Sequence, residues 1–312
     1  MKRPKIIVNP ISGRGRGGRS IATIEELLRG HQLDFDLVCT ERPWHAAELA
    51  RSAAEDGFRC VVAVGGDGTA NEVLNGLMWA KTAGIDGVTM GILTVGRGND
   101  FGFGMGVPAD LEAGCRALAQ GHRRPVDVGR VEGGLYPEGR YFGNGVGIGF
   151  DAVVGFVAQK MTRLHGFVSY LVAALKTIFL YYRAPTVRIE YGDRTVIHPA
   201  LMVSVMNGRR MGGGFMMAPN AAIDDGQFDL CIAGQVSRMR ILALIPRFMN
   251  GSQATHPAVS TDRTNRVVVT AVEGVLPAHA DGETLCTDGT RLALDLLPRQ
   301  IEMIYAPPEH TS

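Results

Sequence analysis

Excess charge of either sign is missing from this chain. Its 312 residues carry 32 Lys+Arg against 31 Asp+Glu, a formal net charge of +1. That balance excludes a nucleic-acid binder that works through bulk electrostatics. Cysteine is sparse too: Cys39, Cys60, Cys115, Cys231 and Cys286 are scattered, odd in number and without a Cys-x-x-Cys pair. Such usage offers no disulfide framework and no sign of zinc, and it fits a reducing cytosol. No secretory leader is legible, because the apolar run Ile6-Ile7-Val8 stops at Asn9-Pro10. The longest mostly apolar stretch, 167–182, is broken by Ser169, Lys176 and Thr177. It falls short of the roughly 20 residues a membrane-spanning helix needs. Internal repeats and low-complexity linkers are absent as well. Together these absences predict a cytoplasmic globular protein.

What is present is ordinary in bulk and informative in pattern. A composition of 46% hydrophobic and 20% charged residues suits a globular chain long enough for two cores or one large α/β domain. Up to about residue 125, β-like runs at 5–9, 35–39, 60–64 and 89–94 alternate with helical spacing over 19–29, 44–56, 70–81 and 110–120. That alternation predicts a parallel sheet covered on both faces, with ligands outside the carboxyl ends of its strands. After Pro125 the texture changes. Runs at 126–131, 141–150, 186–191, 200–206, 228–233, 266–272 and 291–297 read as strands with few helices between them. They predict antiparallel sheets in a second domain. The last β-like run, 301–305, fits either domain.

One helical insertion is expected over 164–182. Leu164, Phe167, Val168, Leu171, Val172, Leu175, Ile178, Phe179 and Tyr182 form an uninterrupted apolar stripe. It suits a helix lying on a sheet, a wall for an acyl chain, or a membrane-facing surface with Lys160, Arg163, Lys176 and Arg183 nearby.

The most informative stretch is Val61-Val62-Ala63-Val64-Gly65-Gly66-Asp67-Gly68-Thr69-Ala70-Asn71-Glu72. An apolar strand runs into a glycine turn, and helical spacing follows at Val73, Leu74, Leu77 and Met78. Such a turn offers backbone N–H groups and a helix dipole to an anion. An aspartate inside it repels phosphate unless a cation or a proton transfer intervenes, which points to phosphoryl transfer. The alternative is a tight turn with Asp67 as N-cap. Earlier, Gly13, Gly15 and Gly18 match G-x-G-x-x-G, with Asp36 about twenty residues on. Arg14, Arg16 and Arg19 crowd that loop, so a flexible cationic loop for a polyphosphate fits better than a dinucleotide turn. A solvated basic turn is the alternative. A third loop runs Thr94-Val95-Gly96-Arg97-Gly98-Asn99-Asp100-Phe101.

Gly65-Gly66-Asp67-Gly68-Thr69 with Asn71-Glu72, then Gly98-Asn99-Asp100-Phe101, resemble the diacylglycerol kinase-like lipid kinases. That family includes the soluble bacterial diacylglycerol kinases and is related to the sphingosine kinases. The same glycine loop occurs more distantly in NAD kinases and 6-phosphofructokinases. The resemblance extends from Asn9-Pro10 to Asp281-Gly282-Glu283. It implies a phosphofructokinase-like α/β domain, a parallel sheet flanked by helices, for nucleotide over 1–125 with 299–312. A mainly antiparallel β-sandwich domain with a helical insertion, for lipid, is implied over 126–298.

It further implies ATP and Mg2+ as cofactors, with nucleotide contacts at Asn9, Pro10, Ser12, Gly13, Thr40, Gly65, Gly66, Asp67, Gly68, Thr69, Ala70, Asn71, Arg97, Asn99 and Asp100. The family usually has Pro where Thr94 stands and Thr where Arg97 stands, so an arginine replaces an expected hydroxyl. Asp100 is read either as orienting the acceptor hydroxyl or as capping the next turn. A structural Mg2+ is implied at Asp225, with the carbonyls of Ala222 and Gln227, and Asp127 as network partner. Glu283 is implied as general base, with Asp67 at the active metal and γ-phosphate. In the sphingosine kinases the loop aspartate holds the base role. His279 is expected to be structural, and Glu72 to favour the dipole from the first helical turn.

The activity implied is transfer of the γ-phosphate of ATP to a hydroxyl of diacylglycerol or a related lipid. It would act at a membrane surface, by transient peripheral contact, with no nucleic-acid partner and with a homodimer open. Three other readings stay open: an NAD kinase, a non-catalytic lipid- or nucleotide-binding protein, and an NAD(P)-dependent dehydrogenase.

Overall fold

The computed structural model describes residues 3–96, 98–160, 166–180 and 184–307. They fall into two compact units, Met1–Val126 with Arg299–Ser312, and Asp127–Pro298.

The first unit runs β1 (Lys5–Val8), α1 (Ser12–Arg19), α2 (Ile21–Gly30), β2 (Asp36–Cys39), α3 (His45–Glu55), β3 (Cys60–Gly65), α4 (Asp67–Thr82), β4 (Thr89–Thr94), α5 (Asp100–Gly104) and α6 (Leu111–Gln120). Parallel pairing follows the order β2–β1–β3–β4, in register at Lys5↔Asp36, Lys5↔Val61 and Cys60↔Thr89. Every residue of β3 and β4 is buried, as parallel strands covered on both faces must be. One face packs Ile6, Val8, Val62, Val64 and Leu93 against Ile24, Leu28, Cys115 and Leu118. Each wholly buried aliphatic side chain there contributes about 1.5–3 kcal/mol. Alanine-rich α3 packs close on α4 at Gly76, where an added methyl would strike the Ala47 carbonyl.

The stretch expected as a flexible loop after β1 is partly helical. Gly13, Arg14 and Gly15 turn the chain with φ of 58°, 61° and 80°, and the helix then proceeds toward Arg19. The reason is packing: Gly17 lies so close to the Asn9 carbonyl that a side chain would not fit.

The second unit contains most of β5 (Arg123–Gly133), then β6 (Tyr136–Phe142), β7 (Gly145–Gly149), α7 (Phe150–Gln159), α8 (Gly166–Leu180), β8 (Thr186–Tyr191), β9 (Arg194–Met206), β10 (Phe228–Gly234), α9 (Arg238–Asn250), β11 (Val259–Thr264), β12 (Arg266–Glu273), β13 (Leu276–Ala280), β14 (Glu283–Gly289) and the start of β15 (Arg291–Ile304). The ladders here are antiparallel. Long β9 belongs to three of them: its first half pairs with β8 and its second half with β7 and β10. Alternation along β10 separates two cores. Phe228, Leu230 and Ile232 join Phe142, Val205, Val269 and Leu294 in the interior of the sandwich. Cys231 and Ala233 face outward, where Ile178 of α8 and Ile241, Leu244 and Phe248 of α9 cover them.

Several expectations need correction. The run 141–150 is not one strand: it breaks after Phe142, resumes as β7 and ends at Gly149, whose φ of 96° turns the chain into α7. Helices α7 and α9 were not expected, the second because Pro246 lies inside it. Strands β11 and β14 escaped because most of their exposed positions are polar, and β13 because it is short and contains Pro277. The expected helix over 164–182 is described as Gly166–Leu180; Leu164 and Tyr182 lie outside the described residues. The run 301–305 is the end of β15, paired parallel to β4 at Glu302↔Thr89. Among the described residues no helix is long and apolar enough to cross a membrane.

Candidate active site

Because β1, β3 and β4 are parallel, the loops after them leave the same edge of the sheet. Backbone bonds weld the edge together: Asn9 N donates to Val64 O at 3.0 Å and Val95 N to Gly65 O at 2.9 Å. Asn9 then reaches across, its Nδ2 donating to Thr69 Oγ1 at 3.0 Å while its Oδ1 accepts from Ile11 N at 3.2 Å. Gly66 and Gly96 touch backbone to backbone; a methyl on Gly66 would lie 3.2 Å from the Gly96 Cα. Gly13, at φ 58°, meets the Val95 carbonyl in the same way. The three loops thus approach closely at their glycines, which is what close approach of a phosphate chain requires.

At the centre, Gly66 is the N-cap of α4 and supplies no side chain to close the helix end. Asp67 is the first helical residue rather than the cap. Its Oδ1 accepts from Phe101 N at 2.8 Å, so the carboxylate ties the third loop to the second. Thr69, Ala70 and Asn71 are buried beneath the turn, and Asn75 Nδ2 holds Asn71 through its O at 2.9 Å and its Oδ1 at 3.2 Å. Thr40 is buried at the end of β2, with its N donating to Val8 O at 2.8 Å. Asn99 caps α5 with φ 54°. Among the described residues its Oδ1 is buried without a partner, an acceptor in the cradle that suits a donor brought by a ligand. Asp100 opens α5 and is buried. Pro10, Ser12 and Gly68 belong to the same three loops; Arg97 lies outside the described residues. Glu72 does not act on its own helix alone: its Oε2 accepts from Ala46 N at 3.1 Å, at the start of α3.

In the second unit, Asp127 is wholly buried and pins the 223–226 turn. Its N donates to Ile223 O and its Oδ2 accepts from Gly226 N, both at 2.7 Å. Asp225 Oδ1 accepts from Gln227 N at 3.1 Å, and its Oδ2 lies 2.5 Å from an Arg263 guanidinium nitrogen. Asp281 adopts φ 47°. Its buried carboxylate accepts from the N–H groups of Gly143 (2.8 Å), Asn144 (3.0 Å) and Gly145 (3.0 Å). This anchor fixes the β13–β14 turn, at which Glu283 stands exposed. Among the described residues the Glu283 carboxylate has no hydrogen-bond or ionic partner.

Residues 3–131 match the diacylglycerol kinase catalytic domain, and residues 144–305 match the YegS C-terminal NAD kinase beta sandwich-like domain. The chain belongs to the diacylglycerol kinase family. It is 29% identical to a diacylglycerol kinase of Bacillus subtilis, over 91% of this chain and 90% of that one. It is 28% identical to a diacylglycerol kinase of Mycobacterium tuberculosis, over 90% and 88%. A solved structure of a putative diacylglycerol kinase from Bacillus anthracis has the same fold, with a TM-score of 0.78, 24% identity and coverage of 98% and 96%.

A structural divalent ion does not fit this family member as its residues stand. The one carboxylate implied, Asp225, is already engaged by Arg263 and by Gln227 N.

Reading the sequence missed a second polar group. Cys231, Ser204, Gly147 and His279 stand side by side across four strands, through the pairs Cys231↔Ser204, Gly147↔Ser204 and His279↔Gly147. Asp151, at the start of α7, places its carboxylate over Gly147, with Ser204 Oγ donating to Oδ2 at 3.3 Å. Burial lifts the Asp151 carboxyl to about 7 and lowers His279 to about 4. His279 is structural in this setting, and its Nδ1 is buried without a partner.

Proposed function

We propose that this chain is an ATP-dependent lipid kinase, moving the γ-phosphoryl group of ATP to a hydroxyl of diacylglycerol or a closely related lipid. One observation carries the reading: Asp67, inside a three-loop cradle of bare backbone, is held in place by the Phe101 N–H. A carboxylate at that position is unwanted for anion capture and useful for a phosphoryl transfer in which cations accompany the phosphates. Mg2+ enters with ATP as part of the substrate and neutralises phosphate oxygens.

The residues then take separate roles. The cradle amides and Asn9, Ser12, Gly13 and Thr69 hold the polyphosphate, and Asp67 faces its reacting end. Glu283 accepts the proton of the lipid hydroxyl. The oxygen so freed attacks the γ-phosphorus as the bond to the β-phosphate oxygen breaks and ADP leaves. Support for Glu283 as base comes from its lack of a partner among the described residues, whereas Asp67, Asp127, Asp225 and Asp281 all accept backbone N–H groups.

An oily substrate at an anionic membrane surface is supported by charge placement. Residues 152–189 and 230–261 contain no Asp or Glu, yet carry Lys160, Lys176, Arg188, Arg238, Arg240 and Arg247 among others. On α9, Met239 between Arg238 and Arg240 is 71% exposed and Met249, just after Arg247, is 43% exposed, the make-up of a helix that rests on lipid.

The test offers labelled ATP with Mg2+ and, separately, diacylglycerol, a sphingoid base, phosphatidylglycerol and NAD. Labelled phosphatidic acid is expected from the first. Transfer to NAD alone would overturn the lipid assignment in favour of an NAD kinase. Glu283→Gln is expected to abolish turnover while ATP still binds, and unchanged turnover would exclude it as the base.

A further inference from the structure

The resemblance places a divalent ion at Asp225, yet strand register delivers a different cation to the same spot. In the β10–β11 ladder Asp229 stands directly opposite Arg263, between the pairs Phe228↔Thr264 and Leu230↔Asp262. Register therefore puts the Arg263 backbone beside the 223–229 turn, within reach of its carboxylates. The guanidinium bridges two carboxylates, at 2.5 Å from Asp225 Oδ2 and 3.4 Å from Asp229 Oδ1. Asp225 turns its other oxygen back onto Gln227 N at 3.1 Å. From inside, Asp127 grips Gly226 N at 2.7 Å.

The turn thus sets a cation and backbone bonds against its carboxylates, and among the described residues only Asp229 Oδ2 is left buried without a hydrogen-bond partner. A magnesium ion prefers a near-octahedral shell of hard oxygens and keeps several waters. Bound to Asp225, it would compete with the Arg263 guanidinium for the same oxygen and repel it. Arginine remains charged at any working pH and forks between two carboxylates, which lysine does less well.

We propose that Arg263 is the structural cation of the 223–229 turn, taking in this chain the place that the family resemblance gives to Mg2+. The turn therefore holds its shape without a bound metal, and the only Mg2+ the protein requires arrives with its nucleotide. This inference does not depend on which lipid is phosphorylated, or on whether one is.

The test uses full-length protein free of nucleotide. Calorimetric titration with MgCl2, and melting curves in EDTA and in millimolar Mg2+, are recorded for the native chain, Arg263→Met and Asp225→Asn. The native chain is expected to show no stoichiometric Mg2+ binding and the same melting temperature in both buffers. Arg263→Met is expected to melt lower in EDTA, by roughly 2–4 °C, and to recover in Mg2+, because its two carboxylates are left without a cation. Asp225→Asn is expected to lower the melting temperature equally in both buffers. One Mg2+ bound tightly to the native chain and lost in Asp225→Asn would overturn the proposal. So would an Arg263→Met protein that melts as the native chain does. Should Arg263→Met fail to fold, the native titration and Asp225→Asn decide the matter by themselves.

Discussion

Replacing Asp151 by Asn should change how stability depends on pH, in a direction the structure sets. Asp151 as a residue is only partly buried, but its carboxylate lies over Gly147 and beside wholly buried Ser204. Loss of water there lifts its carboxyl from 3.8 to about 7 in the folded protein. Between those values the folded state keeps a proton that the unfolded chain releases, so rising pH favours unfolding through this group. At 1.36 kcal/mol per unit, its contribution falls by about 2–3 kcal/mol from pH 5 to 7.5. His279 works the other way. Burial lowers it from 6.5 to about 4, so its contribution is complete above the unfolded value and is lost as pH falls through 6.5 toward 4. Its full swing is about 3 kcal/mol. In the native chain the two slopes oppose each other and largely cancel. Asp151→Asn removes one slope only. Urea unfolding at pH 5, 6, 7 and 7.5 and constant ionic strength should therefore show the native chain losing about 2–3 kcal/mol relative to Asp151→Asn as pH rises. Parallel profiles for the two proteins would refute the burial argument.

Two further changes probe the cradle and the anchor. Gly13→Ala puts a methyl on a residue at φ 58° that faces the Val95 carbonyl; it should cost about 1–3 kcal/mol and weaken ATP binding, read by calorimetry, without touching Glu283. Asp281→Asn keeps a residue that tolerates its left-handed backbone but removes the charge from three hydrogen bonds. A loss of about 2–4 kcal/mol in urea unfolding is expected, with turnover falling while ATP affinity is kept.

The parts of this protein that sequence reading reached are those governed by local backbone rules. The run Val61–Val64 is apolar and mostly β-branched, so it forms a strand buried on both faces, and the glycines after it leave room for no side chain of their own. Periodicity found α3, α4 and α6 for the same reason. The acidic residues are different. Asp67 meets Phe101, Glu72 meets Ala46, Asp127 meets Gly226 and Asp281 meets residues 143–145, each through a backbone N–H. Every residue except proline owns such a donor, so no side-chain pattern marks the partner, and the separations run from 26 to 138 residues. Arg263 is legible only once β11 is known to pair with β10, and β11 itself is too polar to announce a strand. A motif thus says which carboxylates a chain carries, while the fold decides which of them are spent on structure. With Asp127 and Asp281 committed to backbone and Asp225 to Arg263, the carboxylate we propose as proton acceptor is that of Glu283. Its carboxylate has no partner among the described residues, and the turn that carries it is held by its neighbour's three amide bonds.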